Sequence, residues 1–230
     1  MNVIPLDWDS AFFGLRIAKV ILAEGEGDLR LFDEADSMRE RFDLVYVFSP
    51  VGGVHPTSSM RLVDRKATFS IKAPFHPFVC PAVKRWNHPE VTEELMQLAL
   101  ASGQYSRFRL DDRFPRGSYE RLYSHWIRQS VSGQIATDVF CFYQDDLPVG
   151  LATLDLDSEE GHVGLVAVDE AHRGQGIGRC LMEHVIGFCR QHPCKQLSVI
   201  TQLDNLAACR LYERCGFHLE SVQEVWHWWL

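Results

Sequence analysis

The sequence predicts an α/β protein built on a mixed sheet (α+β in the order of its later elements). Short apolar runs bounded by turn residues are typical of buried strands, and stretches with apolar residues at helical spacing lie between them. The chain has 230 residues, of which 46% are hydrophobic, so it is long enough to bury a substantial core. A proline-rich stretch near residue 80 predicts a division into two parts.

Residues 1–80 are predicted to form the smaller part, an N-terminal α/β domain. Residues 28–42 have helical periodicity, and three short apolar runs predict strands. These runs are residues 16–23, 43–50 and 61–72. The next stretch, residues 73–89, contains four prolines, which argues against a regular element there and places the boundary within it.

Residues 81–230 are predicted to fold in the order α-α-β-β-β-α-β-α-β. The first two helices are expected at 89–103 and 116–131, with Ser118 as N-cap of the second. Two strands then meet at a polar turn at Asp145 and Asp146. The remaining strands are expected at 162–168, 196–202 and 221–230, and the remaining helices between them.

The last of these strands, residues 221–230, ends in a run of aromatic residues. We expect Trp226, His227, Trp228 and Trp229 to pack on alternate faces of an edge strand. An open edge is a natural place for a second chain to pair, so the sequence predicts a homodimer.

The charge balance argues against two classes of partner. Acidic residues exceed basic ones, 31 to 23, for a net charge of −8, and no basic stripe of the kind that binds nucleic acid is visible. No apolar run reaches the roughly 18 residues of a membrane span. The first ten residues lack the basic and apolar regions of a secretory signal. We therefore expect no nucleic-acid partner, no membrane and a cytoplasmic location.

The seven cysteines are odd in number and lack zinc-site spacing. Most lie on apolar faces, where cysteine behaves as a small buried hydrophobe. We expect reduced thiols in the core and no metal site.

Three glycines and an arginine are concentrated in "HRGQGIG", residues 172–178. This loop connects a predicted strand to a predicted helix, whose first N–H groups and dipole favour an anion. Glycines there let the backbone approach a phosphate. The loop is neither a P-loop nor a dinucleotide fingerprint, and a helix start with surplus glycine is the alternative.

A second motif begins at Asn205, a predicted N-cap. Ala208 and Tyr212 follow at spacings that put them on one helix face. From the residues alone, Tyr212 either faces a cleft or packs in the core.

Together the two motifs resemble the GCN5-related N-acetyltransferases (GNAT). The residues that match the family pattern are Arg173, Gly176, Gly178, Asn205, Ala208, Tyr212, Gly216 and Phe217. The resemblance implies the acyl-CoA N-acyltransferase fold, here with the additional N-terminal half, and acetyl-CoA as co-substrate without a metal.

The resemblance also implies roles for individual residues. The loop amides would hold the pyrophosphate, the preceding strand would pair with the pantetheine arm, and Tyr212 would be catalytic as proton donor to the departing thiolate. A phenol with a pKa near ~10 suits that role. The implied cofactor-binding residues are Leu165, Val166, Ala167, Val168, Arg173, Gly174, Gln175, Gly176, Ile177, Gly178, Asn205 and Ala208.

The acceptor is indicated by "LDWDSAFFG", "SGQYSRFRLDDRF" and "VQEVWHWWL". These segments resemble the GNAT branch that N-acetylates dTDP-4-amino-4,6-dideoxygalactose for bacterial surface polysaccharide. The resemblance implies a nucleotide-sugar substrate bound by Phe13, Ser106, Arg107 and Phe108. Arg107, Arg109 and Arg113 suit a diphosphate, and the ring of Phe108 or Tyr105 suits a base or sugar face. Alternatively, Asp111 and Asp112 neutralise these arginines on a solvated loop.

Three alternatives stay open at this point. No general base is evident: Asp155, Asp157 and His162 are candidates by position only, and a bound water is another. The alternative to the amino sugar is another acceptor amine: a protein N-terminus, an antibiotic or a polyamine. A non-catalytic CoA-binding module is the third possibility.

Overall fold

The computed structural model describes residues 2–23, 35–54 and 59–230. Residues 28–34 of the predicted first helix lie outside them. In chain order the elements are β1 (Val3–Pro5), α1 (Asp7–Phe13), β2 (Ile17–Ile21), α2 (Ala35–Arg41), β3 (Leu44–Ser49), β4 (Met60–Lys72), β5 (Val83–Arg85), α3 (Glu93–Ser102), α4 (Arg107–Leu110), α5 (Ser118–Val131), β6 (Asp138–Gln144), β7 (Leu147–Asp157), β8 (Glu160–Val168), α6 (Ile177–Cys189), β9 (Gln196–Gln202), α7 (Leu206–Arg214) and β10 (His218–Trp229).

The ten strands of the described residues form one mixed sheet in the order β1-β2-β3-β10-β4-β9-β8-β7-β6-β5. The α/β fold class is therefore confirmed. Strands from both predicted parts alternate in the sheet, because β10 lies between β3 and β4 and β4 pairs with β9. The division at residue 80 stays a prediction, and the sheet runs continuously across it.

The prediction that the last strand lies at a sheet edge is wrong. β10 has a neighbour on each side, and its later part, Glu224–Trp228, is buried on both faces. Trp226 and Trp228 pack in one cluster with Val45 and Val47, while His227 and Trp229 contact Phe114 on the other face. The predicted alternation is confirmed. Burial of both faces is typical of a strand in the middle of a sheet rather than at its edge.

Local predictions failed at three places. The proline-rich stretch contains β5, which fits because Val83–Arg85 lies between prolines and pairs on one side only, with β6. The N-cap of α5 is Gly117 at φ 80°, and Ser118 is the first helical residue. The short elements β1, α1 and α4 were not foreseen, since they are too short to show a period.

Helices cover both faces of the sheet, as the alternation along β6 shows. Phe140 packs in a core cluster with residues of α6 and α7, whereas Val139 and Cys141 pack with residues of α3 and α5. Neighbouring strand residues point to opposite faces. We call these the α6/α7 face and the α3/α5 face.

Cysteine usage differs from the expectation of reduced thiols. Cys80, in the proline-rich stretch, forms a disulfide with Cys180 on α6, with Cα atoms 6.1 Å apart. Cys80 N–H also donates to His184 Nδ1 of the same helix, at 3.2 Å, so this stretch lies against α6. The other five cysteines are free and buried, as expected.

None of the helices in the described ranges is long and apolar enough to cross a membrane.

Candidate active site

A wedge between two parallel strands forms the site. β8 and β9 pair only from Glu160–Gln196 to Val163–Val199, and beyond that point they diverge. An irregularity in the β7–β8 ladder lies at the same level, where Leu165 N–H donates to Thr153 Oγ1 at 2.8 Å. The diverging ends leave a cavity of about 880 Å³, within the range of small-molecule sites.

The cavity passes through the sheet. It is lined by the start of α6 and one side of α7 on one face, and by Ser102 of α3 and Tyr123 and Trp126 of α5 on the other. Gly164–Val168 and Ile200–Gln202 form the walls between. Two reactants can therefore meet in the wedge from opposite faces.

The glycine loop opens its backbone towards this cavity. Gly174 and Gly176 have φ of 77° and 81°, a left-handed conformation in which glycine is strongly favoured. A Cβ at either position would meet no atom within 4 Å, and both glycines line the cavity. Gly178 has another reason to be glycine, since its Cβ would lie 3.2 Å from Leu211 Cδ2 of α7.

The charges around the cavity suit a polyanion. Four arginines line it, whereas no carboxylate of the described residues does; the arginines are Arg173, Arg179, Arg210 and Arg214. The first turn of α6 carries no acidic residue, so its free N–H groups and dipole are not neutralised locally. This backbone cradle fits a diphosphate group.

Asn205 and Tyr212 lie on the α7 side of the cavity. Asn205 is the N-cap predicted, and its Oδ1 accepts from Ala208 N–H at 3.2 Å. Tyr212 lines the cavity and is 4% exposed, with its ring 5.8 Å from that of Phe69. Burial raises the pKa of the Tyr212 phenol, and like any phenol it is protonated at neutral pH.

The structure brings the predicted cofactor residues together. Leu165–Val168, Arg173, Gly174, Gly176–Gly178, Asn205 and Ala208 all line the cavity. Gln175 is exposed at the tip of the loop. Their contact with acetyl-CoA stays a prediction.

The predicted acceptor residues lie together in an aromatic cluster on the α3/α5 face. Phe13 and Phe108 are stacked with centroids 5.2 Å apart, and Ser106 Oγ accepts from Phe108 N–H at 3.3 Å. The Arg107 guanidinium lies 4.5 Å from the ring centre of Tyr46. Tyr123 connects the cluster to the cavity, because it lines the cavity and interacts with Ser106 and Arg107.

Asp111 is not on a solvated loop, contrary to that alternative. It is 1% exposed, and one oxygen, Oδ2, accepts from His227 Nδ1 at 2.6 Å and Trp229 Nε1 at 2.9 Å. Arg113 Nε donates to Oδ1 at 3.0 Å. Asp112 is exposed and pairs with Arg61 at 3.4 Å. The alternative was therefore right about the pairing of Asp111 with Arg113 and wrong about the solvated setting.

These contacts set the protonation of the buried pair. Burial opposes the charge on Asp111, but hydrogen bonds from His227, Arg113 and Trp229 outweigh it and hold the pKa of that carboxyl below its usual range. Desolvation lowers the pKa of His227 to about 4. The imidazole is therefore neutral at pH 7 and donates through Nδ1–H.

The base candidates proposed by position lie away from the cavity. Asp155 pairs with His162 in the β7–β8 ladder at the opposite end of β8 from the glycine loop, and His162 Nδ1 lies 2.8 Å from Ser198 Oγ. Asp157 is exposed near the same end.

A different carboxyl, Asp64 on β4, was missed. Burial raises the pKa of Asp64 to about 6. Nothing in its local sequence, "RLVDRKA", marks it, because its setting comes from β9 and α4.

Metal ligands are not gathered anywhere in the part of the chain described: no three His, Cys, Asp or Glu side chains form a group that could hold an ion.

The comparisons with known proteins agree with this geometry. Residues 94–217 match the model of the acetyltransferase (GNAT) family. The chain is 25% identical to the spore coat polysaccharide biosynthesis protein SpsD of Bacillus subtilis, over 96% of this chain and 81% of that protein. It is also 25% identical to a dTDP-fucosamine acetyltransferase of Escherichia coli, over 96% and 95% of the two chains.

A solved structure shows the same fold along nearly the whole chain. The GCN5-related N-acetyltransferase from Sphaerobacter thermophilus superposes with a TM-score of 0.56 at 17% identity, covering 98% of this chain and 75% of that one. Because the family model spans more than half of the residues, the chain belongs to the GNAT acetyltransferase family and is an acyltransferase that uses acetyl-CoA.

Proposed function

We propose that the acceptor is the amino group of a nucleotide-linked amino sugar of the dTDP-4-amino-4,6-dideoxygalactose type. The observation that carries this proposal is the likeness to dTDP-fucosamine acetyltransferase along 96% of the chain. Because it covers 96% of the chain, that likeness extends well beyond residues 94–217, which match the family model. The polysaccharide role in the name of SpsD supports the same class of acceptor.

The α3/α5 side of the cavity suits a sugar nucleotide. Its lining offers hydroxyl and amide groups of Ser102, Gln104 and Gln202, and the rings of Tyr123 and Trp126. Aromatic faces bind the apolar faces of sugars and bases, and the polar groups fix orientation. In the proposal Arg107, held over the rings of Tyr46 and Phe108, attracts the diphosphate, while Phe13 and Ser106 fix the helix that carries it.

Each side of the cavity has a task in the proposed transfer. Bound acetyl-CoA supplies an activated acetyl group as a thioester. The α6 amides, the loop and Asn205 bind and orient it, and Leu165–Val168 offer an unpaired strand edge to its pantetheine arm. Tyr212, whose phenol is protonated at neutral pH, donates its hydroxyl proton to the departing thiolate.

A homodimer and a cytoplasmic location belong to the same proposal. Since β10 is internal, strand pairing between two copies would have to use β1 or β5, the outer strands of the sheet.

A ligand screen tests the acceptor class. Thermal unfolding is followed in the presence of CoA with dTDP-4-amino-4,6-dideoxygalactose, with dTDP-6-deoxygalactose, which lacks the amine, and with spermidine and an alanine-initiated peptide. We expect stabilisation by the two nucleotide sugars and by neither free amine, since only the former reach Arg107. Stabilisation by spermidine or the peptide alone would overturn the sugar assignment.

A further inference from the structure

The α3/α5 face carries a carboxyl that the function described so far does not use. Asp64 is partly buried on β4, and its Oδ1 is buried with no hydrogen-bond partner among the described residues. A buried carboxyl oxygen without a donor is costly, so this one is suited to a ligand that brings a donor.

The strand register places Asp64 beside the acceptor end of the cavity. Lys66 lies directly across the β4–β9 ladder from Gln202, the last residue of β9, so Asp64 lies two residues further along β4, just beyond the end of β9. Ala67 and Phe69 pack on the α6/α7 face. Asp64, which is out of phase with them, therefore faces the α3/α5 side.

Two residues that line the cavity interact with this carboxyl. The Gln202 side chain, at the end of the diverging wall, interacts with Asp64 directly. Tyr123 of α5 is close enough for its own ionisation to respond to the charge of Asp64. Asp64 is thus not itself in the lining but lies directly behind these two residues, on the side from which we propose that the acceptor enters.

We infer that Asp64 forms the ammonium site of the acceptor and is the base that takes the proton from the amine before acetyl transfer. This inference rests on the proposed function only in requiring an amine acceptor, not in the identity of the sugar. A primary ammonium would give Oδ1 the donor that it lacks in the free protein.

The charges around Asp64 fit a base that works near neutral pH. Burial raises its pKa to about 6, while Arg107 from α4, the Gln202 side chain and Lys66 limit the rise, and Asp204 after β9 adds to it. Arg107 also faces Asp9 of α1. Above pH 6 Asp64 is thus ionised, yet basic enough to accept a proton from a bound ammonium.

In the proposed acetyl transfer, Asp64 accepts a proton on the acceptor side of the cavity and Tyr212 donates one on the acetyl-CoA side. Asp64 takes the first proton from the ammonium, and the freed lone pair forms the C–N bond as the C–S bond breaks. Tyr212 protonates the thiolate, and the second nitrogen proton replaces, through solvent, the one that Tyr212 gave. Asp64 releases its proton to water, so one proton leaves per turnover.

The test compares Asp64→Asn with Asp204→Asn, a neighbouring carboxyl that is exposed and paired with Arg65 at 3.0 Å. We expect Asp64→Asn to lower kcat/KM at pH 7 by about 10²-fold or more and to leave the Kd for acetyl-CoA unchanged, whereas Asp204→Asn changes neither. The acidic limb of the wild-type kcat/KM profile lies near pH 6 and moves up to the pKa of the acceptor amine in Asp64→Asn. Asp64→Glu restores part of the activity and the lower limb.

An unchanged profile and kcat/KM in Asp64→Asn would overturn the inference. If the ligand screen rejects the sugar nucleotide, the same profiles are measured with the amine that is acetylated. Loss of the limb with that amine refutes the sugar assignment and upholds Asp64 as the base, whereas an unaltered limb with an accepted sugar refutes only Asp64.

Discussion

The two sides of the cavity are built in different ways. On the α6/α7 side, a glycine loop, a helix start and four arginines come mainly from two continuous segments, and much of the binding chemistry belongs to the backbone. On the α3/α5 side, side chains from α1, β3, α4, α5 and β10 meet in one cluster. The α6/α7 side suits an acetyl donor that a whole family shares, because backbone N–H groups bind any diphosphate. The α3/α5 side suits a particular acceptor, because each of its side chains can be substituted without disturbing the side that binds the acetyl donor.

The largest effect should come from Tyr212 on the donor side. Tyr212→Phe removes the hydroxyl and keeps the ring that packs against Phe69 and Phe217. We expect kcat to fall by about 10²–10⁴-fold, the usual contribution of a positioned acid, with little change in the Kd for acetyl-CoA. Steady-state kinetics and calorimetry measure the two, and an undiminished kcat would remove Tyr212 from the mechanism.

A substitution in the loop should separate binding from folding. Gly176→Val forces a branched residue into a left-handed conformation in the wall of the cavity. We expect acetyl-CoA to bind about 10²-fold more weakly, the loss of one or two charge-assisted hydrogen bonds of about 1.5–3 kcal/mol each.

Gly117→Val is the matched control for the loop. Gly117 has φ 80° and also precedes a helix, but it does not belong to the cavity lining among the described residues. Both variants should lose similar stability from backbone strain, and only Gly176→Val should lose affinity in calorimetry. Equal affinity losses would show that the loop effect is a general consequence of misfolding.

The last comparison concerns folding stability rather than activity, at the buried support of the acceptor side. Asp111→Asn removes the charge that accepts from His227, Trp229 and Arg113, and we expect a loss of about 3 kcal/mol of unfolding free energy. Asp112→Asn breaks only the exposed pair with Arg61 and should cost no more than about 1 kcal/mol. Urea unfolding of both variants measures the difference, and equal losses would contradict the buried network.

The same pair predicts how stability depends on pH. The folded-state pKa values of Asp111 and His227 both lie below the unfolded ones, so their stabilisation is full above about pH 6.5, the unfolded value for histidine. It is lost as the pH falls, first through His227 between about 6.5 and 4 and then through Asp111. In Asp111→Asn the part of this loss due to Asp111 should disappear.

What the sequence could predict follows the same division. The loop at Gly174–Gly178 and the cap at Asn205 are local features, and the structure has them where their patterns indicate. The positions of β10, Asp64 and Asp111 depend on strands and helices more than a hundred residues away. His227 was expected to pack as one of a row of aromatic residues, and its bond to Asp111 has no local signature. Contacts between segments far apart in the sequence, rather than residue type, determine the surroundings of these three sites.

Transfer of labelled acetyl groups tests the central claim most directly. The protein is incubated with acetyl-CoA labelled in the acetyl group and dTDP-4-amino-4,6-dideoxygalactose, and the products are separated and analysed by mass spectrometry. We predict that the label appears as an amide on the sugar nitrogen, with free CoA released in equal amount. Label found only in acetate, or only on amines without a nucleotide, would contradict the account.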